Sequence, residues 1–266
     1  MKLIDTHCHL DALEFDTDRD EIAMQANING VGAIVVPAVM RSNFDTVITL
    51  SQQHKHCAYA LGIHPMYVNQ SSLADIDALK SYVVSNKPVA IGEIGLDYYV
   101  TKDNIELQTH FFIEQLKIAK EYELPVILHV RHAVDDILKY LRRYRLAGGI
   151  AHAFNGSLQQ AEQFIQLGFK LGFGGAMTYS RALRIRELAI KLPLESMVLE
   201  TDSPDIPPEW VGAGGRNTPV ELPRIAQVLT DLRHENLAQV VDITSANALQ
   251  VLPKLHDLCT PPNALH

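Results

Sequence analysis

Only three cysteines occur in this 266-residue chain, Cys8, Cys57 and Cys259, an odd number with no C-x-x-C pair. A disulfide framework is not expected, and reduced thiols in a cytosolic protein fit the count. No apolar run approaches the roughly 18 residues needed to cross a bilayer. The first residues carry one lysine and pass straight into Leu3-Ile4-Asp5, with no apolar h-region and no small-residue cleavage site. No signal peptide is expected, and a cytoplasmic location is. A basic excess is also missing: the formal charge is −8. That argues against a broad nucleic-acid coat, which needs a basic face. Phosphate chemistry inside a pocket stays open, because bound metal ions dominate the local field. Finally, there is no low-complexity segment, long charge block or Ser/Gly linker to mark a domain boundary.

One pattern recurs throughout. A short apolar run rich in β-branched residues is followed by a polar or Gly/Pro turn and then an amphipathic stretch. The apolar runs are 2–9, 33–39, 58–64, 89–95, 125–130, 149–154, 170–174 and 197–202. Near-continuous apolar runs mark parallel strands covered on both sides, and their alternation with helical patterns marks βα units. Asp18, Asp20 and Glu21 form an acidic start before Ile22, Met24 and Ala26. Residues 106–122 repeat close to the 3.6 period through Leu107, Phe111, Leu116 and Ala119. The stretch 158–167 ends at Gly168, a C′ glycine. Residues 222–252 supply the closing helices. Eight such repeats predict an α/β chain folded as a single-domain (β/α)8 TIM barrel over 1–255, with a doubly wound open sheet as the competitor. The 47% hydrophobic content suffices for a core of that size. The tail 256–266 has two prolines and little pattern and is expected to fray.

A barrel does its chemistry where its strands end. The first run ends in His7-Cys8-His9; in an extended chain the two histidines share a face and Cys8 points away. The third ends in His64, and the fourth carries Glu93 between glycines. The fifth ends in His129-Val130-Arg131, the sixth in His152, and the eighth in Asp202-Ser203-Pro204. The second and seventh runs offer no ligand. Singly, His129 or His152 could be a buried histidine bonded to backbone, Glu93 a lone ion-pair partner, and Asp202 a helix cap. Together on one rim they form a ligand set.

Six ligands fit two divalent ions better than one. The natural partition places His7, His9 and Asp202 on the first and His129 and His152 on the second, with Glu93 bridging. Zn, Mn or Mg are the candidates; the imidazole-rich set suits Zn, Mn or Fe, whereas Mg prefers oxygen. Paired ions roughly 3.5–4 Å apart can clamp attacking and leaving oxygens, and they lower the pKa of water from 15.7 to about 7. Asp202 could accept that water's proton. Two carboxylates and two divalent ions leave a net charge of about +2, which suits an anionic ester such as phosphate.

Seven segments resemble the TatD family of metal-dependent hydrolases, within the amidohydrolase-like barrels. They are Ile4-Asp5-Thr6-His7-Cys8-His9-Leu10, Gly62-Ile63-His64-Pro65, Gly92-Glu93-Ile94-Gly95-Leu96-Asp97-Tyr98-Tyr99, Pro125-Val126-Ile127-Leu128-His129-Val130-Arg131, His152-Ala153-Phe154-Asn155-Gly156, Leu199-Glu200-Thr201-Asp202-Ser203-Pro204 and Arg216-Asn217-Thr218-Pro219. The resemblance implies a (β/α)8 barrel, two divalent metal sites and phosphodiester hydrolysis, often as a deoxyribonuclease. It implies ligand roles for His7, His9, Glu93, His129, His152 and Asp202, with Glu93 and Asp202 catalytic. Arg131, His64, Tyr98, Tyr99 and Asn155 are expected on the substrate side. The chain departs from the family pattern at His132, where a carboxylate is usual, at Ala153-Phe154-Asn155-Gly156, in the acidic stretch after Pro204, and at Asn247-Ala248-Leu249-Gln250-Val251-Leu252.

A phosphoesterase acting on nucleic-acid ends is the first expectation, with a single-stranded end as the form that reaches the pocket and a tyrosine stacking on a base. A binuclear hydrolase of an amide or carboxylic ester is the second, since one barrel supports many chemistries. A non-catalytic metal scaffold is the third. A monomer is expected, with no membrane partner.

Overall fold

The computed structural model describes residues 1–100 and 103–259. Eight parallel strands alternate with helices: β1 (Leu3–Asp5), β2 (Val31–Pro37), β3 (Cys57–Ala60), β4 (Ile91–Asp97), β5 (Val126–Arg131), β6 (Gly149–Ala151), β7 (Phe169–Phe173) and β8 (Met197–Leu199). The helices are α1 (Arg19–Ile28), α2 (Phe44–Gln53), α3 (Leu73–Asn86), α4 (Ile105–Glu121), α5 (Val134–Tyr144), α6 (Leu158–Gln166), α7 (Leu183–Lys191), α8 (Leu222–Arg233), α9 (Leu237–Val251) and α10 (His256–Cys259).

Regular ladders join β1-β2-β3 and β4-β5-β6-β7-β8. The two seams between these runs are stitched by individual backbone hydrogen bonds. Leu61 donates to Ala90 and Gly92 to Leu61 across the β3–β4 seam. Thr6 donates to Leu199 (3.1 Å) and Asp202 to His7 (2.8 Å) across the β8–β1 seam. The sheet therefore closes on itself.

Strand alternation divides the core in two. Ile4, Val35, Ala60, Ile127, Ile150 and Val198 form one buried cluster with Ala248, Leu249, Leu252 and Leu255. These strand residues fill the barrel interior, and the end of α9 plugs it from the side opposite the strand C-termini. Residues of the other parity, including Leu3, Ile34, Leu128, Leu171 and Met197, pack outward against the helices in the larger cluster.

The helix expectations match closely. Gly168 adopts φ +85° after α6, as a C′ residue does. The 222–252 stretch divides into α8 and α9 at His234, which has φ +54°. Several strands stop short of the sequence expectation: β1 at Asp5, β3 at Ala60, β6 at Ala151 and β8 at Leu199. Beyond those points the backbone leaves the ladder. His9 donates to Ser203 and His64 to Val39, and Ala153 (φ +43°) and Asp202 (φ +57°) enter the left-handed region. The tail begins with α10, whose Leu258 packs on the interior cluster; residues 260–266 lie outside the described residues.

Candidate metal centre

The chain segments leaving β1, β6 and β8 meet strands β4 and β5 at one end of the barrel. Glu93 sits within β4, where the pairing with β5 slips by one residue between Ile91 and Ile94. Such a bulge re-aims a side chain. Its carboxylate is almost sealed from solvent (side chain 2% exposed) and each oxygen faces a different set of partners.

Glu93 Oε2 lies 3.2 Å from His7 Nε2 and 3.4 Å from His9 Nε2. Those two ring nitrogens are 3.2 Å apart, and Asp202 Oδ1 is 3.4 Å from His7 Nε2 and 3.9 Å from His9 Nε2. Glu93 Oε1 lies 2.9 Å from His152 Nε2 and 3.0 Å from His129 Nδ1, which are 3.4 Å from one another. A tetrahedral ion with ~2.1 Å bonds holds its ligand atoms about 3.4 Å apart. The measured separations have that size, and the donors are imidazole nitrogen and carboxylate oxygen. The residues present therefore fit a divalent cation. All six expected ligands are brought together here.

His64, expected on the substrate side, also reaches the cluster, with Nε2 3.4 Å from Glu93 Oε1. Its Nδ1 accepts the Met66 amide at 3.1 Å, so the proton of the neutral ring sits on Nε2. Burial pushes this histidine down to about 4, against the pull of Glu93, so the ring is neutral at pH 7. His64 is thus a hydrogen-bond donor aimed into the site.

The remaining expected residues separate. Arg131 is exposed, lies over the Tyr99 ring at 4.0 Å and comes within 3.9 Å of Asp97. Tyr99 is 61% exposed beside it and meets His132 edge-on. Asn155 is exposed on the loop after β6. Tyr98 is a correction: it packs against the core and its hydroxyl donates to Asp136 of α5 at 3.0 Å, so it is not presented to the cluster.

The protonation states follow from crowding. Burial raises the Glu93 carboxyl, but the surrounding imidazoles, His64 and His152 first, hold it well below the usual carboxylate range. Burial lowers His9 and His152, yet Glu93 outweighs it and lifts them to about 9 and about 10. His7 is pushed well down by burial and by His152. Protons favoured on these imidazoles stand where cations would otherwise balance the carboxylates.

Two carboxylates behind the cluster were not singled out from the sequence. Asp97 Oδ2 lies 3.0 Å from His129 Nε2, while its Oδ1 accepts the amides of Tyr99 (2.8 Å) and Val100 (3.1 Å). Burial raises its carboxyl, and the bonds from His129 and the two amides more than reverse this, to about 2. An ionised Asp97 only accepts, so His129 carries a proton on Nε2; burial lowers this histidine, but its hydrogen bonds to Asp97 and Glu93 raise it, and a cation beside Glu93 would take the place of the proton on Nδ1. Gln108 of α4 clamps the Asp97 backbone, accepting at 2.8 Å and donating at 3.0 Å. Glu200 is fully buried at the exit of β8, where burial pushes it up to about 8. The available signal was a charged residue set inside an apolar run, which requires a partner. Asp97 stands four residues beyond Glu93 on one strand and Glu200 two before Asp202.

Known proteins place the chain in a family. A family model described as TatD related DNase matches residues 4–253. The uncharacterized metal-dependent hydrolase YjjV of Escherichia coli K12 is 43% identical, covering 88% of this chain and 91% of that protein. A second, YabD of Bacillus subtilis 168, is 32% identical over 92% of this chain and 97% of its own length. The crystal structure of YjjV, a TatD homolog, superposes with a TM-score of 0.90 at 40% identity, covering 94% of this chain and 98% of that one. A TatD family hydrolase of Entamoeba histolytica shares the fold at TM-score 0.84 and 20% identity, covering 95% and 98%.

Proposed function

The chain belongs to the family of TatD-related DNases and is a metal-dependent hydrolase, and from that premise we propose that it cleaves phosphoesters at single-stranded nucleic-acid ends with two divalent cations. The observation that carries the reading is Glu93, whose Oε2 lies beside His7 and His9, with Asp202 next to both, and whose Oε1 lies beside His129, His152 and His64. One carboxylate shared between two donor sets suits a pair of ions. Bound there, they would polarise a phosphoryl oxygen and lower the pKa of water toward neutrality.

The side chains divide the remaining work. Asp202 is 13% exposed at its side chain, against 2% for Glu93. It is the carboxylate that water can reach, so it accepts the proton of the attacking water. Glu93, sealed and ionised, organises the imidazoles around it. Arg131 is a permanent cation at the mouth and pairs with a phosphate oxygen. His64 donates from Nε2 toward the same space. Tyr99, exposed beneath Arg131, offers a ring face to the terminal base. The overall charge of −8 supports a local end rather than an extended duplex as substrate.

The test loads metal-depleted protein with Mn, Mg or Zn and offers a p-nitrophenyl phosphodiester, a 3′-labelled single strand and an N-acyl amide. Turnover of both phosphoesters is expected. Turnover of the amide alone would overturn the proposal, and no turnover of any would favour a metal-binding scaffold. Replacing Asp202 by Asn should lower turnover by about 10²- to 10⁴-fold while circular dichroism stays unchanged; an active variant would remove the proton-accepting role.

A further inference from the structure

Beside the cluster, two buried polar atoms have no hydrogen-bond partner: His152 Nδ1 and Glu200 Oε2. They belong to neighbouring groups. His152 Nδ1 lies 3.8 Å from the other oxygen of that carboxylate, Oε1. Buried polar atoms are normally satisfied, so an unmatched donor and an unmatched acceptor on neighbouring groups call for explanation.

The surroundings hold both groups in place. The His152 ring stacks on His7 with centroids 4.0 Å apart and planes 13° from parallel. Glu200 Oε1 accepts the amide of Ala153, the residue after His152, at 2.5 Å. Space for the carboxylate comes from β7: a Cβ on Gly172 would stand 2.1 Å from Glu200 Oε2. The carboxylate is therefore built into the fold beside the back of the His152 ring, where the next carboxylate oxygen, Asp202 Oδ1, stands 4.0 Å from Nδ1. Asp97 stands in the same relation to His129, on the opposite ring nitrogen. His7 Nδ1 is likewise buried without a hydrogen-bond partner among the described residues.

We infer that Glu200 is a positioning residue for His152, accepting its Nδ1–H and so fixing the tautomer that leaves Nε2 free to ligate. Resting on the two-cation reading, this makes the two sides of Glu93 unequal. His129 and His152, facing Oε1, are both backed by carboxylates, which raises their basicity as donors. Among the described residues, His7, on the Oε2 side, has none at Nδ1. Exchanging the Glu200 acceptor for an amide weakens one ion and spares the other.

Metal-depleted wild type and E200Q are titrated with Zn(II) against a competing chelator. Gln keeps an acceptor for the Ala153 amide, so a purely structural role is preserved. Wild type is expected to take two ions, and E200Q to bind one of them about 10- to 100-fold more weakly with the other unchanged. In Zn-loaded, nitrogen-labelled wild type the His152 Nδ1–H resonance should be slow to exchange and shifted downfield, and it should move upfield in E200Q. Unaltered affinities with an unmoved resonance would overturn the inference alone. Wild type that binds no ion would overturn the two-cation reading, and this inference with it. Should E200Q fail to fold, the wild-type resonance decides: a fast-exchanging Nδ1–H overturns the assignment.

Discussion

Replacing Asp97 by Asn removes one charge and exchanges an oxygen for an NH2 group, and the structure leaves the new side chain no good orientation. Asp97 accepts from three donors: the His129 ring at one oxygen and the amides of Tyr99 and Val100 at the other. Asn has a single oxygen. If that oxygen serves the amides, the NH2 faces His129 Nε2–H, donor against donor. The ring then relaxes by moving its proton to Nδ1, the atom 3.0 Å from Glu93 Oε1, and loses the lone pair a cation needs. If the oxygen instead serves His129, the NH2 opposes two backbone amides. With a cation bound, when Nδ1 must keep its lone pair, at least one buried donor is left unpaired, a loss of ~1–3 kcal/mol. At 1.4 kcal/mol per factor of ten, the ion beside His129 should bind about 5- to 150-fold more weakly. Zn(II) titration of metal-depleted D97N measures this directly. Activity should be recovered at high metal with kcat near that of wild type, because the ligands themselves remain. Wild-type affinities for all bound ions would refute the reasoning, as would a kcat loss that excess metal cannot restore.

Other outcomes follow from the same geometry. In metal-free protein His9 and His152 are raised to about 9 and about 10, above the ordinary histidine value near 6.5. A raised pKa contributes stability that is complete below about 6.5 and lost as pH climbs through 9 to 10. Metal-free protein should thus lose denaturant resistance from pH 7 to 10, and Zn(II) binding near pH 8 should release protons in calorimetry across buffers of different ionisation enthalpy. A flat profile and no proton release would contradict the assignment. Substituting Gly172 by Ala drives a methyl group to 2.1 Å from Glu200 Oε2. The overpacking should cost ~1–3 kcal/mol, read from the urea midpoint; an unchanged midpoint would mean the pocket yields. Arg131→Ala should lower kcat/KM for a phosphodiester about tenfold, mainly through KM and least at high salt, with metal content unaffected. An unchanged KM would remove Arg131 from the substrate side.

How far the sequence carried this account depends on the kind of information required. Apolar runs alternating with amphipathic stretches were sufficient for the eight βα units, since parallel strands covered on both faces and helices covered on one leave different periodicities. The positions of His7, His9, Glu93, His129, His152 and Asp202 near strand ends were likewise legible, because a polar residue closing an apolar run is local information. Tyr98 and Tyr99 show the limit. Adjacent and identical in type, they differ because Asp136 of α5 captures one hydroxyl while the other ring lies open beneath Arg131.

The amino-acid order by itself determined the barrel class and the identity of the clustered histidines and carboxylates. Tertiary structure alone decided which oxygen of Glu93 faces which histidines, which nitrogen of each ring is turned inward, and that Asp97 and Glu200 stand behind the site. Those relations join residues far apart in the chain, such as His129 with Asp97, 32 positions away. Hydrogen-bond direction and ring tautomer are set by what lies within about 3 Å in space, and linear order records no such distance.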